Sequence, residues 1–364
     1  MLAEFDDAPA ARLAWADLPS NPEYHTGGVV RALCKRANGM CERDPRYALV
    51  LADAAVGIAA VLPDAAYPAA ALHEWRGEAW KEQANALHQL GRFEEAWVAL
   101  DHAEAEYRGL KHEGIGHVAV TYIRAVLLYE QERFDGAAEL AERSAISALH
   151  LGSMDRFMRA QHMHGVILHG KGDVRGAIDR FRTVLQYGKT HNSKIWIARE
   201  SLALGNCHLL LGALPEARDY LLGALRLFKE LGLGAYVART EFALARLLFD
   251  EGAQNDAILR GRKSIADLTT FGIFTDAAIA SVYLAEMLSA VGRTREIRKL
   301  LNGVVQTFVK AGKVSSALMA LAYLRDAAKA DRVTHEVAEH VRRFIGRAEH
   351  QPELLFEPPP DSPV

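Results

Sequence analysis

The sequence predicts an all-α protein, built as a solenoid of about eight helical hairpins. The main support is a repeat, because the ends of six similar short segments lie 41, 40, 40, 40 and 40 residues apart. These segments are 91–96, 132–137, 172–177, 212–217, 252–257 and 292–297. The composition agrees, since 50% of the 364 residues are hydrophobic and only 12 are proline. A fixed repeat of this length marks a stack of similar units that bury their apolar faces on one another.

The N-terminal part, residues 1–62, is predicted to be a capping region with a degenerate first hairpin. A helix is expected over about 26–42, and Pro45 opens a second helix because proline is well tolerated in a first turn. Pro63 and Pro68 then end the hairpin, since two prolines five residues apart cannot both lie inside one helix.

Six regular repeats of about 40 residues are predicted to occupy residues 69–311. Five of the six turns carry a glycine where the end of a helix requires a left-handed backbone. These glycines are Gly91, Gly172, Gly212, Gly252 and Gly292. Residues 312–350 are expected to form a capping hairpin, whose higher charge suits a terminal unit with one solvated face. The proline-rich tail, residues 351–364, is predicted to be disordered.

The repeat that contains the 91–96 turn carries a defined pattern of large and small residues. The pattern is Trp80, Ala84 and Leu87 in the first helix and Ala96, Leu100 and Ala103 in the second. It resembles the tetratricopeptide repeat, in which small residues let two helices approach closely and large ones fill the neighbouring groove. The period of 40 rather than 34 residues is similar to the longer-helix branch, found in bacterial signal sensors and kinesin light chains. The period alone would also allow HEAT-type hairpins.

This resemblance implies a right-handed, tetratricopeptide-like α-solenoid whose first helices line an inner groove. Aligning the repeats on their small residues gives the positions expected to face that groove. Six residues before the small residue, three successive repeats carry Arg159, Arg199 and Arg239. The other expected groove residues are Asn85, Tyr122, Tyr129, His162, His169, Asn206, Phe242, Arg246 and Phe249.

This mixture of side chains suits an extended peptide, including an acidic one. Asparagine can bond a peptide backbone through its donor and its acceptor, and arginine can hold a carboxylate through two parallel bonds. A structural alternative stays open, because such arginines are often solvated or paired within the chain. Tyr122, Phe242 and Phe249 would equally suit the core between neighbouring helices.

Patterns for catalysis or metal binding are weak, and no metal and no cofactor is expected. His162 and His169 share a helix face but lie about 10 Å apart along the axis, which is too far for one ion. No carboxylate stands at the spacing of a zinc protease, and no phosphate loop or nucleophile elbow occurs. Cys34 and Cys41 are seven residues apart on one helix, too distant for a disulfide. The chain is therefore predicted not to be an enzyme, and a metal-dependent enzyme is a remote alternative.

Charge and hydropathy exclude several classes of partner. The net charge of −3 does not favour binding to nucleic acid or to an anionic membrane. No run of about 18 apolar residues occurs, the N-terminus lacks a signal-peptide pattern, and three cysteines fit a reducing compartment. A cytoplasmic location is expected.

The predicted function is a non-catalytic scaffold or adaptor that binds a protein or peptide in the groove. The alternative is a regulatory protein that senses a peptide or small ligand and acts through a separate output partner. Residues 1–62 lack a recognition helix with clustered Arg or Lys, so no DNA-binding module is expected within them. The identity of the partner and the oligomeric state stay open.

Overall fold

The chain folds into helices that pair as hairpins, in a computed structural model. The structure describes residues 18–131, 133–310, 316–330, 332–348 and 354–359. Within these residues there are sixteen α-helices and no β-strand. They are α1 (Gly27–Met40), α2 (Pro45–Ala60), α3 (Ala69–Gln89), α4 (Phe93–Arg108), α5 (Ile115–Glu130), α6 (Phe134–His150), α7 (Met154–Gly170), α8 (Val174–Thr190), α9 (Lys194–Leu210), α10 (Leu214–Glu230), α11 (Gly234–Asp250), α12 (Gln254–Thr270), α13 (Phe274–Ala290), α14 (Thr294–Lys310), α15 (Ser316–Lys329) and α16 (His335–Ala348). The all-α prediction and the eight hairpins are confirmed in the described part of the chain.

The residues divide into two compact units. The N-terminal unit comprises Met1–Tyr129 and Arg133–Ile167, and the C-terminal unit comprises Glu130–Glu132 and Leu168–Val364. The first hairpin of the N-terminal unit is α1 with α2. The Thr26 hydroxyl caps α1 by accepting a hydrogen bond from the Val29 backbone N–H at 3.3 Å. Asp44 caps α2 in the same way through the backbone N–H of Tyr47 at 3.1 Å.

The glycines of the repeat turns have the left-handed backbone that the sequence predicts. Their φ values lie between 68° and 87° at Gly91, Gly172, Gly212, Gly252 and Gly292. At the first of these turns the backbone N–H of Arg92 bonds to the carbonyl of Leu87 at 2.9 Å, which is the Schellman arrangement. Residues other than glycine adopt this conformation at a cost, so glycine fixes where the first helix ends at these five turns.

Small residues allow the two helices of a hairpin to approach closely. Ala84, Ala96 and Ala103 are fully buried between α3 and α4. In the C-terminal unit Gly205 of α9 faces Leu221 of α10, and a Cβ at residue 205 would lie 2.6 Å from the Leu221 side chain. The large and small positions of the repeat therefore interlock as predicted, and burial of one leucine contributes about 1.5–3 kcal/mol to folding.

Part of the tail differs from the disorder predicted for residues 351–364. The Phe356 ring lies 4.9 Å from the ring centroid of Phe344 and 5.2 Å from that of Tyr323. The His340 Nε2 atom lies 2.8 Å from the carbonyl oxygen of Glu357. The prediction weighed only the prolines, whereas one aromatic side chain binds residues 354–359 to the last hairpin.

Candidate ligand-binding surfaces

Two adjoining cavities in the N-terminal unit are lined by side chains from its first helices, α1, α3, α5 and α7. The larger has a volume of about 870 Å³ and the smaller about 180 Å³. The residues common to both linings are Asn38, Lys81, Glu82 and Arg156. Three residues predicted to face the groove, Asn85, Tyr122 and Arg159, all line the smaller cavity. In this unit the alignment of the repeats therefore brings predicted residues together around one space.

A buried ion pair lies where the two cavities meet. Glu82 is 3% exposed and Lys81 is 8% exposed, and the two side chains form a salt bridge. The Asn38 amide of α1 donates to both carboxylate oxygens of Glu82, at 3.2 and 3.1 Å. These bonds satisfy the buried carboxylate, because a charge in this position is stable only when it is paired.

Arg156 is the candidate ligand contact that the sequence reasoning missed. It lies in the first turn of α7, is half-buried and lines both cavities. Burial lowers its pKa, and the neighbouring Arg159 lowers it further. No carboxylate lies within 4 Å of its guanidinium in the described part of the chain. Because Arg156 precedes Arg159 by three residues, helical spacing would have placed both on one face.

The other predicted residues of the N-terminal unit have mainly structural surroundings. Arg159 is exposed and pairs with Asp155 of its own helix at 3.2 Å. Tyr129 lies 5.7 Å from the ring centroid of Phe134 and packs, like Tyr122, against a core between α5, α6 and α7. His162 is half-buried on α7. Tyr122 is therefore consistent with both a core role and a groove role, since it packs on the core and also lines the smaller cavity.

Two of the predicted arginines of the C-terminal unit stack on aromatic rings. The guanidinium carbon of Arg199 lies 5.9 Å from the ring centroid of Trp196 and 5.6 Å from that of Tyr236. Arg239 lies 5.2 Å from the same Tyr236 ring and forms a salt bridge with Asp276 of α13. Tyr236 of α11 is thus flanked by arginines from α9 and from its own helix, which links successive hairpins.

A second arginine–aromatic contact follows along the same unit. The Tyr283 ring of α13 lies 4.6 Å from the Arg246 guanidinium carbon and 4.1 Å from that of Arg342. Phe242 lies 6.1 Å from the same ring. Arg342 of α16 also bonds Glu286 of α13 at 2.6 Å, so the last helix packs against a first helix.

The remaining predicted residues of this unit are wholly or partly enclosed. Phe249 packs against the C-terminal core, and Asn206 is half-buried on α9. Burial, together with Arg246, lowers the pKa of His169. Sequence reasoning missed Tyr236 and Tyr283, which fall beside the aligned positions. An aromatic residue three positions before Arg239 was the available signal.

Three observations concern properties other than peptide binding. No group of three or more His, Cys, Asp or Glu side chains is placed to hold a metal ion among those whose positions are described. Burial raises the pKa of the Cys34 thiol, which lines the larger cavity, so this cysteine is a poor nucleophile. No helix in the described ranges is long and apolar enough to cross a membrane.

Comparison with solved structures supports the fold. A Rap protein complexed with competence and sporulation factor is 13% identical, covering 91% of this chain and 98% of that one, with a TM-score of 0.54. Aspartyl phosphate phosphatase F from Bacillus subtilis is 11% identical, with coverages of 94% and 96% and a TM-score of 0.51. No family model and no curated protein matches the sequence. At these identities the likeness extends to the fold alone, and it confirms the array of tetratricopeptide-like hairpins.

Proposed function

We propose that the chain is a protein- or peptide-binding scaffold whose N-terminal unit holds an extended peptide in the two adjoining cavities. One observation carries the proposal: side chains from four successive first helices surround a polar space, and Arg156 faces it with no carboxylate within 4 Å among the described residues. A half-buried cation in such a position is best stabilised by an anionic ligand group.

Each residue around the cavities has a role in peptide binding that follows from its chemistry. Arg156 and Arg159 bind a carboxylate of the peptide, because guanidinium groups three residues apart on one helix face can act together. Asn85 bonds the peptide backbone, since its amide both donates and accepts. Tyr122 supplies contact area at low entropic cost. The buried pair of Lys81 and Glu82 keeps α1 and α3 in position but does not itself recognise the peptide.

The comparisons support a ligand-binding role for this fold and also suggest a second candidate. One structurally similar protein is complexed with competence and sporulation factor. Another carries the name aspartyl phosphate phosphatase F, and this name makes phosphatase activity the second candidate. Release of phosphate from a phosphorylated aspartate on a partner protein would favour that candidate over a purely binding role.

The proposal is tested by peptide binding to matched variants. A random acidic peptide library is screened against the wild type, and the selected peptide is titrated into Arg156→Gln and into Arg143→Gln. Loss of a charge-assisted bond of about 1.5–3 kcal/mol corresponds to an affinity about 10–100 times weaker for Arg156→Gln. Arg143 is exposed on α6 and serves as the control, for which no change is expected. Equal affinity in both variants would overturn the proposal.

A further inference from the structure

A basic cleft lies in the C-terminal unit, between α14 and α15. It has a volume of about 820 Å³. Its lining residues are Arg295, Arg298, Lys299, Asn302, Gly303, Gln306 and Arg325. Among the lining residues that the structure describes, four side chains are cationic, two are amides and none is a carboxylate. The cleft therefore presents hydrogen-bond donors and positive charge to whatever binds there.

The charges of this cleft follow one face of α14. Arg295, Arg298 and Lys299 stand at helical positions i, i+3 and i+4, and Asn302 and Gln306 continue the same face. All five side chains are exposed. Side chains three or four residues apart on a helix are neighbours, so the three cations repel one another in the free protein.

None of these three cations forms a direct ion pair in the described part of the chain, although Lys299 is close enough to Glu296 to help lower its pKa. No carboxylate lies within 4 Å of Arg295, Arg298 or Lys299 among those residues. Glu296, the single acidic residue of α14, is instead held by Arg293 at 2.5 Å and by Arg262 at 2.7 Å. These partners lower the pKa of the Glu296 carboxyl.

Other second helices of the same unit treat their cations differently. Arg218 of α10 pairs with Glu251, and Arg260 of α12 pairs with Glu241 at 3.2 Å. Arg262 of α12 pairs with Glu296, so both helices find acidic partners on neighbouring elements. Three neighbouring cations without a direct ion pair to a described residue therefore distinguish α14 from α10 and α12.

The position of the cations and the shape of the cleft both suit an anionic partner. The cations lie in the first two turns of α14, where the helix dipole already favours negative charge and disfavours positive charge. Gly303 lies within the cleft, and a Cβ added there would meet no atom of the described residues within 4 Å. The absence of a side chain at that point leaves room for a partner's backbone to approach α14 closely.

We infer that this cleft is a docking site for an acidic segment of a partner protein, separate from the peptide cavities of the N-terminal unit. The three cations extend over only five residues, about 6 Å of helix, which matches a few carboxylates rather than a run of nucleic-acid phosphates. The amides of Asn302 and Gln306 then bond polar groups of the same segment.

The test uses a fluorescein-labelled decaglutamate peptide as the probe and the full chain carrying Arg156→Gln as the protein, so that the acidic-peptide site proposed in the N-terminal unit does not contribute to binding. The variant Arg295→Gln/Arg298→Gln/Lys299→Gln is compared with Arg175→Gln/Lys189→Gln/Arg226→Gln, which removes three exposed cations elsewhere in the unit. Decaglutamate is expected to bind at least tenfold more weakly to the cleft variant and less than twofold more weakly to the control. Equal weakening of both, or of neither, would overturn the assignment.

A second variant and a second probe keep the result decisive. Gly303→Leu fills the cleft without changing its charge and is expected to weaken decaglutamate binding at least threefold. An unchanged affinity would show that the peptide does not bind inside the cleft. Circular dichroism verifies that each variant is folded. If the triple variant is not folded, the affinity of Gly303→Leu for decaglutamate tests the cleft instead. A labelled deca-thymidine strand that binds more tightly than decaglutamate and is lost in the triple variant would assign the cleft to nucleic acid instead.

Discussion

The same repeat position carries an arginine in both units, yet its surroundings differ between them. In the N-terminal unit Arg159 is exposed and bonds Asp155 of its own helix, beside a cavity that Arg156 also faces. In the C-terminal unit Arg199 and Arg239 stack on the ring of Tyr236. An aromatic residue from the same or the next hairpin thus covers the guanidinium groups at this repeat position in the C-terminal unit, while Arg156 and Arg159 of the N-terminal unit line a cavity.

The two units also bury polar groups in different ways. The N-terminal unit buries Lys81 and Glu82 as a charged pair supported by Asn38. The C-terminal unit buries His208, whose ring stacks on Tyr220 with centroids 5.5 Å apart and whose nitrogens bond no described residue. The C-terminal unit also encloses an acidic side chain, since Glu200 is 0% exposed, so His208 is the feature that separates the two units.

The largest effect is expected from breaking the buried pair. Glu82→Ala leaves Lys81 and the Asn38 amide without their acceptor, and should lower the free energy of unfolding by about 3–5 kcal/mol. Glu95→Ala removes an exposed carboxylate that bonds Arg92 and should cost less than about 1 kcal/mol. Urea denaturation measures both, and a similar small loss in the two variants would show that the pair does not hold the N-terminal unit together.

The second largest loss of stability is expected from removal of the Tyr236 ring in the C-terminal unit. Tyr236→Ala removes a half-buried ring that also stacks on Phe228 at 4.8 Å, and is expected to cost about 2–4 kcal/mol. Tyr236→Phe keeps the ring and its contacts with Arg199 and Arg239, and should cost less than about 1 kcal/mol. If thermal denaturation finds both variants equally stable, the ring does not link the hairpins.

A smaller, pH-dependent effect should come from His208. Burial lowers the pKa of His208, and Arg182 lowers it further, so the unfolded chain binds the proton more readily than the folded one. The free energy of unfolding is therefore unaffected by this histidine above its unfolded-state pKa of about 6.5. It decreases as the pH drops from there towards the pKa of His208 in the folded protein. The repeat pattern expects a large apolar residue here, so His208→Leu should raise stability more at pH 5 than at pH 7.5. An equal change at both values would contradict this account.

The opposite sign is expected at His335, with the smallest effect. The hydrogen bond to Glu286 raises the pKa of His335, so its contribution is present below pH 6.5 and declines as the pH rises through the folded pKa. Because His335 is largely exposed, His335→Gln should change stability only slightly, and only on the acidic side. A loss measured in urea at pH 8 but not at pH 5.5 would refute this interpretation.

Features fixed by local backbone chemistry were predictable from the sequence. Each turn glycine, such as Gly91 or Gly212, marks a left-handed residue because other side chains rarely adopt that conformation. The small residues Ala84 and Gly205 mark close helix contacts for a different reason, because they leave room for the facing helix. The period of the repeat then assigned the first helices to one surface, and in the N-terminal unit Asn85 lines the cavity accordingly.

Features that depend on partners distant in sequence were not predictable in this way. Whether Arg239 faces a ligand or bonds Asp276 depends on a side chain 37 residues away. Phe356 stands in a proline-rich segment, and only the last hairpin reveals the rings against which it packs. Arg156 was missed because the alignment assigned one position per turn to the groove, whereas a cavity wall includes its helical neighbours.

We propose that the N-terminal unit binds ligand, whereas the arginine–aromatic contacts of the C-terminal unit stabilise the fold. The most direct measurement titrates the peptide selected on the wild type into Arg156→Gln and Arg199→Gln, and determines the free energy of unfolding of each. Arg156→Gln should bind about tenfold or more weakly with nearly unchanged stability. Arg199→Gln should keep its affinity and lose about 0.5–2 kcal/mol of stability. Loss of affinity without loss of stability in Arg199→Gln would contradict the account.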